Sequence, residues 1–360
     1  MTTQGEPTDS RIHNIARVFL EDAAAHPHRP FFVGVGYMKP HLPFIAPSHF
    51  FDMNPLDAIE LPANFDSCQS SGSYYAQWQT RELNNYPDVT ATGWTGDKNS
   101  GMHACDGSGV PFNRTFAREL TRAYHACVSS TDHKIGELVE DLKRLGLWNK
   151  TIVIAWSDHG FKLGEHRLWQ KQNLHIEDTK APLYLRVPGL TDGGSVSTGL
   201  VEFVDIMATL GEAAGLAPLD RCPNAATGGA PWTVPRCTEG LSFLSLASVP
   251  TSSNWKRYAF TEIGICPSCP LGYSMITDTG LRFTAWVDFD EQFAVQNSSA
   301  WAATNWSMTN EKSGVEMYNH TSDPHENVNL AGNSAHAGLV REMYGALRAG
   351  WRALLPPRIP

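Results

Sequence analysis

Residues 151–160, Thr-Ile-Val-Ile-Ala-Trp-Ser-Asp-His-Gly, constrain the fold of this chain more than any other stretch. Thr151 to Trp156 is β-branched and aromatic throughout, which is the pattern of a strand covered on both faces. Such strands belong to open α/β sheets, whose ligands gather at the carboxyl ends of the strands. Asp158 and His159 stand at that end, and Gly160 lets the chain turn tightly behind them. Lys162, Glu165, His166 and Lys171 follow closely. A carboxylate and an imidazole followed by lysines suit a metal and an anionic substrate.

The rest of the sequence can be read around that strand. Ile15, Val18, Phe19 and Ala23 give Arg11 to Ala25 a helical spacing, and Phe31 to Gly36 reads as a short buried strand. Prolines stiffen the loop that leaves it, and residues 45–112 show little periodicity, as expected of a long surface excursion. Phe116 to Leu147 is the longest helical pattern, with Leu120, Ala123, Cys127, Ile135, Leu138, Val139 and Leu142 on or near one face and Gly146 as its stop signal. A right-handed crossover through this helix would set strands 31–36 and 151–156 in one mostly parallel sheet. Ala181 to Val187 predicts another strand, and Leu200 to Ala214 a helix. After about residue 216 proline, glycine and cysteine crowd together. Tyr273–Thr277 and Leu281–Val287 then read as a hairpin, and residues 335–353 as a terminal helix. The division is a main α/β layer structure over 1–216 and a smaller α+β subdomain over 217–360.

A formal charge of −9 with no long basic run argues against a nucleic-acid partner, which needs a dense cationic surface. An anionic substrate would have to be held by a local cluster. No apolar run approaches membrane-spanning length, and the first 30 residues lack the pattern of a signal peptide. Five Asn-x-Ser/Thr sequons, at Asn113, Asn149, Asn297, Asn305 and Asn319, nevertheless suit a secretory protein. Cys222 and Cys237 bracket a Pro/Gly/Thr-rich loop and predict a disulfide. Cys266-Pro-Ser-Cys269 reads as a local disulfide or two free thiols, and Cys127 as a small core residue.

Two long segments resemble the sulfatases of the alkaline-phosphatase-like superfamily: residues 31–44 (Phe-Phe-Val-Gly-Val-Gly-Tyr-Met-Lys-Pro-His-Leu-Pro-Phe) and residues 157–166 (Ser-Asp-His-Gly-Phe-Lys-Leu-Gly-Glu-His). Shorter matches continue in the family's order through Pro182–Gly189, Val204-Asp205-Ile206, Arg221-Cys222-Pro223, Glu239-Gly240, Gly272-Tyr273-Ser274, Ser322-Asp323-Pro324 and Glu326-Asn327. The resemblance implies an alkaline-phosphatase-like three-layer α/β/α core with a smaller C-terminal subdomain. It implies a sulfuric ester hydrolase acting on a sulfated sugar of the uronic-acid or glycosaminoglycan type, in a lysosomal or secreted setting. It assigns Asp158 to a divalent cation, Ca²⁺ in the family, with His159 beside it. Ca²⁺ prefers oxygen donors, so Asp158 is the better ligand of the two. His41 matches a histidine near the leaving ester, able to move a proton, and Lys171 a lysine that neutralises sulfate oxygens. Lys39, His166 and Trp169 are further candidates for contact with substrate, with a solvated lysine and a packed tryptophan as the alternatives.

The sequence also departs from the family. The family's nucleophile is a formylglycine made from the cysteine of Cys-x-Pro-Ser-Arg, and none of the seven cysteines here stands in that motif. The Asp-Asp metal pair on the family's first strand is missing as well. The resemblance therefore begins in the middle of the family's catalytic domain, and little turnover is expected from this polypeptide by itself. Met38 stands where a close relative has histidine. Two other readings fit the same residues: a phospho- or phosphonohydrolase of the superfamily, and a non-catalytic module that binds sulfated glycans.

Overall fold

The helical periodicity before the Asp-His turn becomes one helix of 31 residues, Arg114–Arg144. Asn113 caps its start, its side chain accepting the Phe116 N–H at 2.9 Å. Its end is a Schellman turn. Gly146 takes a φ of +69°, its N–H donates to Lys143 O at 3.1 Å, and the Leu147 N–H donates to Leu142 O at 2.9 Å. The structure is a computed structural model that describes residues 8–68, 74–79, 82–90, 102–103, 112–223, 234, 236–251, 254–264, 271–289, 304–305 and 314–356. Cys266 and Cys269 lie outside the described residues. The chain divides into two units, residues 1–62, 83–94 and 110–151 in the first and residues 63–82, 95–109 and 152–360 in the second.

In the first unit α1 (Thr8–Ala25) packs on α2 (Arg114–Arg144). Arg17 Nε donates to Asp141 Oδ2 at 2.6 Å, and Asp141 also accepts from Arg144 at 2.8 Å. Of the face of α1 expected to be apolar, only Ala23 is turned inward. Ile15, Val18 and Phe19 are exposed, whereas Asp9, His13, Ala16, Leu20 and Ala23 are buried. Polar groups on the neighbouring loop account for this. Asp9 accepts the Met38 and Lys39 N–H groups at 2.8 and 3.0 Å, and His13 Nδ1 lies 3.0 Å from the Tyr37 hydroxyl. On α2 the expected face holds at Cys127 and Leu142, which are buried, while Ile135 is exposed.

The buried strand expected at 31–36 does not form. No strand is assigned there, and Phe32 is 87% exposed. A run rich in β-branched and aromatic residues becomes a strand only when a neighbour pairs with its backbone, and these residues have no such ladder among the described ones.

In the second unit β1 (Val153–Trp156) forms within the expected strand. After it come two short strands, β2 (Lys162–Leu163) and β3 (Trp169–Gln170), paired with each other. A one-turn helix, α3 (Ile176–Thr179), leads to β4 (Leu183–Arg186). The partner of β1 is β4, and the pairing is antiparallel, with Ile154 opposite Leu185 and Trp156 opposite Leu183. The parallel partner expected at 31–36 is thus replaced by an antiparallel one. One face of this ribbon, Ile154, Leu183 and Leu185, packs against Ile206 of α4 (Val204–Ala213) and against Phe243, Leu246 and Trp255. On the opposite face Tyr184 is exposed.

The C-terminal portion is an antiparallel sheet of β5 (Tyr258–Gly264), β6 (Leu271–Thr277), β7 (Leu281–Phe289) and β8 (Val315–Asn319), in that spatial order. The expected hairpin is β6–β7, and Gly280, at φ +83°, turns it. Tyr273, Met275, Phe283, Ala285, Val287 and Met317 pack against Val340, Met343 and Leu347 of α5 (Ala337–Ala349), the terminal helix. Cys222 and Cys237 are joined as expected, with Cα atoms 4.8 Å apart.

Candidate active site

Asp158 leaves the carboxyl end of β1 with its side chain 84% exposed, and the His159 Nε2 stands 3.7 Å from its Oδ2. The turn is held from behind. Ser157 Oγ donates to His159 O at 2.9 Å, and His159 Nδ1 donates to Gly160 O at 2.7 Å. The Gly160 N–H donates to Asp178 O at 2.7 Å. Any side chain at Gly160 would collide with this support, because its Cβ would fall 1.9 Å from Glu177 O and 2.8 Å from Lys180 O. Close backbone approach therefore requires glycine here, whatever its φ.

Residues 162–180 form the floor behind the turn. Lys162 is buried and paired with Asp178, also buried. Burial pulls the Lys162 ammonium down to about 8, against the opposing pull of Glu177, Glu165 and Glu326. His166 and His175 stack with ring centroids 5.3 Å apart, both buried, and burial lowers both imidazoles below their ordinary value, His175 far below. His166 Nε2 donates to His325 O at 2.8 Å. Trp169 is 2% exposed. Trp169 and His166 are thus both packed into the floor. Lys171 extends from this floor and donates to Glu82 Oε2 at 2.9 Å.

His41 and Lys39 belong to the first unit. Lys39 Nζ donates to His41 O at 2.9 Å and to Pro43 O at 2.6 Å, and burial lowers its ammonium. This lysine is engaged with the backbone of its own loop. His41 is exposed, with Nδ1 donating to Leu42 O at 2.8 Å. The structure thus sets Asp158 beside His159, and Lys171 beside Glu82, a partner that sequence reasoning did not name.

Arg282, Asp178 and Asn173, which the sequence did not single out, hold the floor together with Lys162 and Glu326. Glu326 sat inside a matched run, and Arg282 sat in a strand whose neighbours alternate into the core. Asp205, in another matched run, is also buried. It accepts Leu241 N–H at 2.7 Å and Lys256 Nζ at 2.7 Å, a structural anchor.

A divalent cation of the Ca²⁺ type asks for six to eight oxygen donors. The Asp158–His159 turn offers one carboxylate and one imidazole, and among the described residues no three His, Cys, Asp or Glu side chains are placed to hold a metal. These residues alone do not fit such a site, and no step is derived through it.

The fold class follows from comparison with solved structures. A protein captured with its substrate D-glucosamine-2-N,6-O-disulfate superposes with a TM-score of 0.68 at 20% identity, covering 96% of this chain and 69% of that one. The architecture is the alkaline-phosphatase-like α/β fold with a C-terminal sheet subdomain. The Sulfatase family model matches residues 4–216, and the chain belongs to the sulfatase family. A sulfatase of Formosa agariphila is 31% identical over 204 residues, 57% of this chain and 36% of its own length. The iduronate 2-sulfatase of Mus musculus is 27% identical over 366 residues, 87% of this chain and 60% of its own length. The chain therefore spans less than two thirds of these relatives. The family generally works with a divalent metal. No helix among the described residues is long and apolar enough to cross a membrane.

Proposed function

We propose that this chain supplies the sulfate-binding and part of the metal-binding side of a sulfuric ester hydrolase of the iduronate-2-sulfatase type. The observation that carries the reading is Asp158. It is an exposed carboxylate just beyond the carboxyl end of β1, on a turn whose Gly160 admits no side chain. A carboxylate costs least where water or a cation can reach it, and a turn built so rigidly suits a ligand that must be held in place.

In this reading Asp158 and His159 face the cation, Ca²⁺ by family, and Lys171 lends positive charge to the sulfate oxygens. His41 handles a proton at the ester oxygen. His166 and Trp169 support the loop from inside. The division at residue 216 into a catalytic portion and an α+β subdomain is part of the proposal, and the span of the family match, 4–216, supports it. The substrate is a sulfated uronic acid or related glycosaminoglycan unit, supported by the iduronate 2-sulfatase relative. The Cys222–Cys237 disulfide suits an oxidising, secretory setting.

The sequence lacks a Cys-x-Pro-Ser-Arg motif, so this polypeptide by itself should not turn over a sulfate ester. The test compares it with a protein in which it follows a segment bearing Asp-Asp and Cys-x-Pro-Ser-Arg. Both are assayed on an aryl sulfate and on a sulfated uronic-acid disaccharide. Turnover by the longer protein alone, abolished by Asp158→Ala, is the expected result. Turnover by the shorter chain, or none by a matured longer one, would overturn the reading.

A further inference from the structure

We propose that Arg282 and Glu326, in the C-terminal portion, are positioning residues that fix the segment carrying Lys171. Among the described residues, the non-glycine positions with left-handed backbone are His166 (φ 53°), Arg167 (64°), Gln170 (76°), Gln172 (75°) and Glu326 (55°). Gln170 and Gln172 flank Lys171 directly. Such conformations disfavour side-chain-bearing residues and persist where the surroundings over-determine them. Four of the five lie within seven residues around Lys171, and the fifth is the acid that grips the same segment.

The grip is explicit in the contacts. Glu326 Oε2 accepts the Ile176 N–H at 3.1 Å and Arg282 Nη2 at 2.7 Å. Arg282 Nε pairs with Glu326 Oε1, and Arg282 Nη1 donates to Leu174 O at 2.5 Å. His320 Nε2 lies 2.6 Å from Glu326 Oε1, and the Arg282 guanidinium lies 4.9 Å from the centre of the Tyr318 ring. Both charged side chains are buried, on and beside a sheet whose other face is the C-terminal core. The planar guanidinium reaches Glu326 and the Leu174 carbonyl from separate nitrogens in a fixed fork, a geometry that the single ammonium nitrogen of a lysine does not reproduce. Asn173 secures the same segment from its other side, donating to Ala76 O at 2.8 Å and Trp78 O at 2.9 Å. Lys171 follows the β2–β3 ribbon and precedes these anchors, so its backbone is held on both sides, and its ammonium meets Glu82 at 2.9 Å. The C-terminal subdomain thus acts on the site through the backbone of residues 174–176.

The catalytic meaning of this inference rests on the role proposed for Lys171, but the positioning can be tested without any turnover. Arg282→Lys keeps the charge and loses the planar fork that pairs with both Glu326 oxygens. Glu326→Gln keeps an acceptor for Ile176 and cuts the ion pair. Lysine acylation by acetic anhydride, read by mass spectrometry, would follow Lys171 against Lys256, a buried lysine paired with Glu202 and Asp205. Hydrogen exchange of residues 166–179 would be read alongside. In either folded variant, acylation of Lys171 should rise about tenfold or more, with faster exchange in 166–179 and no change at Lys256. An unchanged Lys171 rate in a folded variant would overturn the proposal. So would Lys171 and Lys256 rising together, which is general loosening. Should Arg282→Lys fail to fold, Glu326→Gln decides by the same two readings. Failure of Lys171→Ala to impair the longer protein would overturn the functional reading and leave the positioning result standing.

Discussion

Lys162 and Asp178 form an ion pair inside the second unit, with side-chain exposures of 2% and 3%, and Asp178 also holds Gly160 through its carbonyl. Removing one partner leaves an uncompensated buried charge. Lys162→Met or Asp178→Leu alone should cost about 3–5 kcal/mol, while the double replacement should cost clearly less than their sum. Urea unfolding of the three variants measures this. Additive losses would show that the two groups do not depend on each other.

The same lysine gives a signed pH dependence. Its folded value of about 8 lies below its ordinary 10.5. Between those values the unfolded chain holds a proton that the folded chain has lost. This group's contribution to stability is therefore least favourable below pH 8 and grows as pH rises toward 10.5. Subtracting the unfolding free energy of the double variant from that of the parent, at pH 7.5 and at pH 10, isolates the effect. The difference should rise with pH, and a flat or falling difference contradicts it.

His166 and His175 act at the acid end. Burial is the largest cause of the lowered value in both. Below the ordinary value of 6.5 the unfolded chain gains protons that the folded chain does not, so stability falls as pH drops from 6.5. Each histidine contributes at most about 1.4 kcal/mol per pH unit. His175→Phe should flatten the decline measured by urea unfolding between pH 7 and 5. An unaltered slope in a folded variant would exclude His175 as a source.

How much of this was readable in advance depends on whether the cause was local. The 114–144 helix, its Gly146 stop and the β6–β7 hairpin follow from periodicity and turn chemistry that neighbouring residues determine. The strand at 153–156 was legible for the same reason. Its partner was not, because the hydrophobic run Leu183–Leu185 suits either direction of pairing. Phe31 to Gly36 carries a strand composition, but composition cannot supply a ladder. Asp158 and Lys171 were visible as motif residues, whereas the Glu82 partner and the Arg282–Glu326 grip join positions far apart in the chain. No spacing rule reaches across such distances. The sequence leaves Trp169 open between sugar contact and packing, since an aromatic side chain serves either, and its depth in the floor is set by residues far along the chain.

The disulfide offers a further stability test. Cys222 and Cys237 close a loop of 15 residues, for which chain entropy gives about 3 kcal/mol. Cys222→Ser with Cys237→Ser should lower the unfolding free energy by roughly that amount, about 2–4 kcal/mol, by constraining the unfolded chain less. A double variant as stable as the oxidised parent would show that the bridge restrains nothing.

Gly160 and Gly136 should respond to alanine in opposite directions. Gly136 lies on α2 with nothing within 4 Å of a Cβ built there. Alanine at that position should stabilise by about 0.5–1 kcal/mol through helix propensity. At Gly160 the added methyl would meet Glu177 O at 1.9 Å and Glu177 C at 2.9 Å, both backbone atoms of α3. Backbone cannot swing aside as a flexible side chain can, so either α3 or the Asp158–His159 turn must shift. Displacing α3 would also disturb Asp178 and its Lys162 partner, while displacing the turn would move Asp158 directly. Gly160→Ala is expected to cost about 2 kcal/mol or more, within the range of overpacked sites. In the longer, nucleophile-bearing protein it should lower kcat/KM more than Gly136→Ala does. Thermal unfolding and turnover of the two variants, measured side by side, check both halves. Equal behaviour of the two alanines would mean that the close approach at Gly160 does not hold the turn.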